Sequence, residues 1–182
     1  MTINLLTNIK AIVDPAHTAV LAIDLQNDFC APGGHTEVNL KKPVEDCQGV
    51  VEPISTLVTQ MRAAGGSGIW VKADYDRTYL SPPIHARQVS RGIKDAYCVA
   101  GTWGADFYGV HPDDDDLVIE KHRHSAFIGT ELDQILRDRG IQTLVMVGVQ
   151  THVCIESTLR DASARGYYIC LLYTSPSPRD RG

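Results

Sequence analysis

Two short runs, Thr18 to Asp24 (TAVLAID) and Thr143 to Gly148 (TLVMVG), constrain this chain more than any other feature. Both are apolar at nearly every position, not at alternate ones, and both end in polar or glycine-containing turns. A strand of that kind is buried on both faces, which in a globular domain means the interior of a parallel sheet. Ser67 to Lys72 (SGIWVK), Leu117 to Lys121 (LVIEK) and Tyr167 to Leu172 supply further strand patterns. Helical spacing separates them. Val44, Val51, Ile54, Val58 and Met61 mark a helix over Val44 to Ala64, ended by Gly65, Gly66 and Gly68. Thr130 opens another, with Asp133 in the capping-box position, Leu132, Ile135 and Leu136 on one face, and Gly140 as the stop. Thr151 caps a third that runs to about Arg165 and closes at Gly166.

Strands alternating with helices predict an α/β fold: a doubly wound, mainly parallel sheet with helices on both faces, Rossmann-like in its three layers. Asp74 to Asp116 contains Pro82, Pro83, Gly92, Gly101 and Gly104 and reads as loops and short helices near the site. The length of 182 residues suits one domain. After the fifth strand pattern the chain turns polar (TSPSPRDRG) where a doubly wound domain would continue with a helix. The expectation is a domain over residues 1–172, incomplete at its C-terminal end, and a non-native or disordered tail over 173–182. LLYTSPSPRD also looks like translated adapter or vector sequence. Thr174 to Gly182 is therefore expected to make no packed contacts.

A formal charge of −5 argues against a general nucleic-acid binder, which carries a basic patch. No stretch approaches the roughly 20 apolar residues of a membrane span, and Met1 to Ala19 has no basic start followed by an apolar run. Cys30, Cys47, Cys98, Cys154 and Cys170 are odd in number and widely spaced, with no CxxC pair, which suits a reducing cytoplasm.

Three polar residues stand where a strand hands over to a loop or helix: Asp24, Lys121 and Cys154. Ligands of open α/β sheets bind outside the carboxyl ends of the strands, so these ends should converge on one crevice. Alone, each has a plain structural reading, as turn cap, solvent-reaching lysine and packed thiol. Together they suit nucleophilic catalysis. A helix N-terminus and the Lys121 cation would lower the pKa of the Cys154 thiol, and Asp24 could take its proton and return it to a leaving amine. The turn from Gly148 to Thr151 places backbone N–H groups where an oxyanion would form.

The segments AVLAIDLQNDF, LVIEKHRHSAF and VMVGVQTHVCIESTLRDASARGYY resemble the isochorismatase-like cysteine hydrolases, from about Thr18 to Ile169. The resemblance implies that Asp24, Lys121 and Cys154 form a catalytic triad. It also implies an oxyanion hole from the N–H groups of Gln150 and Cys154, with a cis peptide before Gln150. Members that hydrolyse the isochorismate vinyl ether lack the cysteine, so Cys154 points to the amide-cleaving branch. Nicotinamidases bind a metal through an Asp-x-His pair near strand two, where this chain has Ala73-Asp74-Tyr75-Asp76. Ala31 to Gly34, Arg137 to Gly140 and Glu156 to Asp161 look more like ureidoacrylate and carbamoyl-amide hydrolases. The family is commonly oligomeric, so a homo-oligomer is expected.

The resulting expectation is a cytoplasmic amidohydrolase that cleaves a C–N bond of a small amide, ureido or carbamoyl compound through a thioester, with no cofactor and no nucleic-acid or membrane partner. A non-catalytic binding protein of the same fold and an inactive fragment are the alternatives. Phe29, Trp103, Tyr108 and Phe127 are candidate pocket residues. His122 and His124 lack a complete ligand set for a metal. Asp113 to Asp116 reads as a solvated acidic turn.

Overall fold

In the computed structural model the described residues are 5–114 and 116–175, with the backbone alone at Tyr173. Five strands, β1 (Thr18–Ile23), β2 (Ser67–Ala73), β3 (Leu117–Lys121), β4 (Thr143–Gly148) and β5 (Tyr168–Thr174), form one sheet in the order β3-β2-β1-β4-β5. Every pairing is parallel. The two runs that read as doubly buried are the central neighbours β1 and β4, and every residue of both is buried.

The period-two alternation of these strands divides the core into two layers. Ala19, Leu21, Ile23, Leu144 and Met146 face a layer closed by Leu132, Leu136 and Ala162, from the helices Leu132–Asp138 and Glu156–Ala164. Val20, Ala22, Val145 and Val147 face the other layer, closed by Val51, Ile54 and Val58 from the helix Val51–Ala63. That is the three-layer doubly wound arrangement the alternation predicted. The strand order reverses between β1 and β4, so the crevice beyond their carboxyl ends is where such a sheet receives a ligand.

Local features differ from expectation in several places. The helix over Val44 to Ala64 is two, Glu45–Gln48 and Val51–Ala63, because the chain turns through Gly49 before the second begins. Gln150, at φ 60°, caps the last helix in place of Thr151, which is the first residue of a π-turn (Thr151–Ile155) leading into Glu156–Ala164. The Thr151 hydroxyl instead donates to the Ser175 carbonyl at the end of β5. For the same reason Thr174 and Ser175 are packed, against expectation: β5 includes Thr174, and Ser175 is buried with its N–H donating to Gly148 O at 3.2 Å. Residues 176–182 lie outside the described residues.

The acidic turn is only partly solvated. Asp116 accepts from the Trp70 indole N–H at 2.9 Å and pairs with Arg62 at 2.9 Å, so it ties this turn to β2.

Gly148 sits at the end of β4 with φ 134°, and a Cβ there would lie 2.1 Å from the Ile23 carbonyl oxygen. Backbone strain and overpacking each cost about 1–3 kcal/mol. Gly148→Ala should therefore lower unfolding free energy by about 3 kcal/mol or more in a denaturant melt. An unchanged midpoint would show that β1 and β4 are not so closely apposed.

Candidate active site

Asp24 immediately follows β1 in the left-handed region, φ 61°, a conformation that aspartate tolerates better than most residues. Its N–H still pairs with Val71 O at 2.9 Å, so the turn begins while the backbone is anchored to β2. Gln26, Asn27 and Asp28 after it form a bracket of buried and half-buried polar side chains. Gln26 donates to Ala73 O and Ala105 O at 2.9 and 3.0 Å and accepts from Ala73 N–H at 2.7 Å. Asn27 donates to Trp103 O at 2.7 Å, and Asp28 accepts from Cys98 N–H at 2.6 Å and His35 N–H at 3.1 Å. These bonds satisfy backbone groups at the end of β2, at Cys98, Trp103 and Ala105, and at His35, which would otherwise be costly to bury. Together they clamp residues 97–106 and the Gly34–His35 turn against the sheet ends.

Lys121, the last residue of β3, is fully buried and reaches past the end of β2 to Asp24. Its Nζ lies 3.1 Å from Asp24 Oδ2, 2.9 Å from the Tyr75 hydroxyl and 3.5 Å from Cys154 Sγ. The Tyr75 hydroxyl also lies 3.6 Å from Cys154 Sγ and donates to Arg123 O at 3.3 Å. The three residues singled out in the sequence thus meet, and Tyr75 joins them. The Lys121–Asp24 contact is an ion pair, and neither Asp24 oxygen has an aligned hydrogen-bond partner among the described residues. Those unengaged lone pairs are what a proton acceptor needs.

The electrostatics correct one expectation. Burial, reinforced by the Asp24 carboxylate, pushes the Cys154 thiol up to about 12, and Lys121 only partly opposes this. Burial alone would pull Lys121 down, but Asp24 and then Cys154 together raise it, so it is an ammonium. Tyr75 is held well above its ordinary value by burial and by Cys154 and stays neutral. The resting nucleophile candidate is a thiol beside an ion pair, not a thiolate. Spacing along a sequence shows the helix start and the lysine but not the desolvation that outweighs them.

Cys154 forms the floor of a cavity of about 140 Å³ whose lining includes Phe29, Tyr75, Arg87, Tyr97 and His124. Tyr97 stacks on His35 at 3.7 Å and meets Tyr75 edge-on at 5.1 Å. Of the four pocket candidates only Phe29 lines this cavity. Trp103 is 54% exposed and lies away from it; Tyr108 packs against the layer behind β1; Phe127 is buried near Tyr167, ring centres 6.0 Å apart. Composition cannot distinguish the packing of Tyr108 and Phe127, or the surface position of Trp103, from ligand contact. The residues missed, Tyr75, Arg87 and Tyr97, come from the aperiodic stretch after β2. Two of them flank identifiable features: Tyr75 lies two residues past a strand end, and Arg87 is in a helix (Pro82–Ser90) announced by Pro82 and Pro83.

Gln150 also lines the cavity, and its N–H has no acceptor among the described residues. The Cys154 N–H is committed to Gln150 O at 3.0 Å, so it would have to leave or share that carbonyl to hold an oxyanion. The described peptide bonds include no cis bond; the turn is made by the left-handed Gln150 instead.

His122 does have acidic neighbours, which the sequence did not reveal. One donor atom each from Asp74, Glu120 and His122 lie within 4.8 Å of one another. Glu120, however, is paired with Lys72 at 3.0 Å, and His122 Nδ1 is 3.0 Å from Asp74 O. A cation would have to displace the ammonium, so the set fits a metal poorly.

The sequence model of the isochorismatase domain matches residues 18–173. An isochorismatase family protein from Desulfovibrio vulgaris is similar at 32% identity and TM-score 0.75, over 90% of this chain and 85% of that one. A cysteine hydrolase from Pseudomonas syringae pv. phaseolicola is similar at 26% identity and TM-score 0.77, over 98% and 81%. N-carbamoylsarcosine amidase from Thermoplasma acidophilum is similar at 25% identity and TM-score 0.74, over 90% and 88%.

The buried thiol gives a spectroscopic prediction. The difference in absorbance at 240 nm between the wild-type chain and Cys154→Ser should show thiolate only as pH rises above about 10, centred near 12. A step near neutral pH would mean that Lys121 prevails over burial and Asp24.

Proposed function

Because the chain belongs to the isochorismatase domain family, we propose that it is a cysteine hydrolase cleaving a C–N bond of a small amide, ureido or carbamoyl compound through a thioester. The observation that carries this reading is the convergence of the buried Asp24 and Lys121 with Cys154, which lines one small cavity. Asp24 is the general base, Cys154 the nucleophile, and Lys121 the charge that keeps both ionised forms accessible.

The thiol pKa of about 12 assigns the order of events. Proton transfer to Asp24 accompanies attack, because free thiolate is scarce in the resting site. Sulfur adds to the substrate carbonyl carbon, and the carbonyl π electrons move to oxygen. The Gln150 N–H, joined by that of Cys154 once it turns from Gln150 O, holds the oxyanion, a contribution typically of about 3 kcal/mol per donor. Collapse breaks the C–N bond, and Asp24 returns its proton to the departing nitrogen. Water then attacks the thioester carbon as Asp24 takes one of its protons; the C–S bond breaks, Asp24 passes that proton to sulfur, and the acid leaves. Lys121 remains protonated throughout, offsetting the Asp24 charge and then that of the developing thiolate. The Tyr75 hydroxyl holds the ammonium in place.

The missing Asp-x-His pair in Ala73 to Asp76 favours carbamoyl and ureido substrates over nicotinamide. The free state of all five cysteines suits a reducing cytoplasm. A homo-oligomer suits the exposed Leu171 and Leu172 on the edge strand β5.

Ammonia release from a panel of small amides and ureides tests the assignment. Cys154→Ala should abolish turnover with the melt little changed. Asp24→Asn should lower kcat by about 10² or more, the usual worth of a positioned proton carrier. Near-normal kcat in either variant contradicts the role of that residue as nucleophile or general base.

A further inference from the structure

The Tyr75 hydroxyl is buried with the charged pair and has more acceptors in reach than protons to give. Its oxygen accepts from Lys121 Nζ at 2.9 Å, which uses a lone pair and leaves the phenolic proton free. Three acceptors surround that proton: Arg123 O at 3.3 Å, His124 Nδ1 at 3.5 Å in the tautomer that leaves this nitrogen bare, and Cys154 Sγ at 3.6 Å. At rest it goes to Arg123 O, at a distance longer than the about 2.5–3.0 Å usual for O–H···O. The ring itself is wedged. Tyr97 meets it edge-on at 5.1 Å, His124 at 6.1 Å, and the Lys121 ammonium lies 5.0 Å from its centre. The oxygen is therefore fixed, and rotation about the C–O bond alone decides which acceptor takes the proton. Burial, and after it Cys154, hold Tyr75 well above its ordinary pKa, so the proton is there to be given.

The balance among the three acceptors changes when sulfur ionises. Burial, with help from Lys121, lowers the His124 pKa, so Arg123 O and His124 Nδ1 both stay neutral. Cys154 Sγ gains a full charge, and hydrogen bonds to a charged acceptor are roughly twice as strong. The ammonium cannot serve sulfur alone, because it is shared with Asp24, at 3.1 Å from Oδ2 against 3.5 Å from Sγ. Burial and then Asp24 hold the thiol up at about 12; Lys121 and, less strongly, Tyr75 oppose them. We propose that Tyr75 is a further catalytic residue, whose hydroxyl turns from Arg123 O to Cys154 Sγ as the sulfur ionises and acts beside Lys121 as its second donor. This rests on the reading of Cys154 as the nucleophile. The proton stays on the phenol oxygen, and no bond to Tyr75 forms or breaks. The same donor favours sulfur twice: when the thiol gives up its proton to Asp24, and again when the C–S bond breaks. The lone pair that holds Lys121 and the proton that serves sulfur are separate uses of one oxygen. They respond in opposite directions to a change in the acidity of the phenol.

That opposition can be measured without substrate. Iodoacetamide labelling of Cys154 between about pH 7 and pH 10, followed by peptide mass spectrometry, reads the thiolate. Tyr75→Phe should slow labelling by about threefold or more at every pH, since the loss of thiolate is partly offset by greater nucleophilicity. Incorporating 3-fluorotyrosine at position 75 makes the hydroxyl a stronger donor and a weaker acceptor, so labelling should become faster than in the wild-type chain. A residue that served only to hold Lys121 would give the reverse. Fluorine replaces hydrogen with little change of shape, so this chain decides the question even if Tyr75→Phe folds poorly. In turnover Tyr75→Phe should lower kcat by about tenfold or more, the usual worth of a hydrogen bond to a charged group, with KM within about twofold. Labelling of the fluorotyrosine chain at or below the wild-type rate, or an unchanged labelling rate or kcat in Tyr75→Phe, would overturn the proposal. If fluorotyrosine speeds labelling while the wild-type chain releases no ammonia from any amide or ureide, the hydrolase reading fails and the hydrogen bond to sulfur stands.

Discussion

Lys121 and Asp24 lie 3.1 Å apart with both side chains withdrawn from solvent, and the organisation of the site follows from that pair. Removing two charges from water is expensive, and deleting one partner of such a pair typically costs about 3–5 kcal/mol. The residues come from strands that are not neighbours, since β2 lies between β1 and β3. The pair can form only if all three strands end in register and nothing large fills the gap. Tyr75, just beyond β2, supplies the hydroxyl that the ammonium needs, and Cys154 supplies the fourth polar atom. A cluster with this composition is poorly explained as a stabilising device. An apolar set of similar volume would serve as well or better. Its polarity makes sense if charge must move there.

The polar bracket after β1 is the counterpart of that cluster. Gln26, Asn27 and Asp28 spend their hydrogen bonds on the backbone at the end of β2 and of the segment from Cys98 to Ala105. The sheet provides rigid ends for Asp24, Lys121 and Cys154, and the bracket extends that rigidity to Tyr97 and the cavity wall. In the proposed mechanism the irregular segments supply the recognition surface, and the ends of β1 and β3 with the turn after β4 supply the reacting groups. The division matches the general placement of binding residues on loops carried by a fixed scaffold.

Much of this is legible in the amino-acid sequence. Buried parallel strands leave an unambiguous apolar signature, and the ends of TAVLAID, LVIEK and TLVMVG point to one crevice. What was not legible shares a physical cause: it depends on burial and on side-chain direction. Trp103, Tyr108 and Phe127 looked like pocket aromatics because composition carries no information about which way a ring points. Arg87 lies in a stretch without periodicity, where the sequence indicates only that loops and short helices occur. The high thiol pKa of Cys154 reverses the sequence-based expectation, since desolvation of the sulfur and proximity to Asp24 outweigh the nearby cation. The packing of Thr174 and Ser175 was missed because polar residues can extend a strand when backbone partners are waiting for them.

The central claim is that Cys154 carries the acyl group between the two halves of the reaction. Acid-quenching the wild-type protein during steady turnover of a carbamoyl or ureido substrate, followed by peptide mass spectrometry, tests it directly. The account predicts an acyl mass increment on the peptide containing Cys154, appearing with the release of ammonia and disappearing when substrate is exhausted. An increment on a different residue during turnover would contradict it.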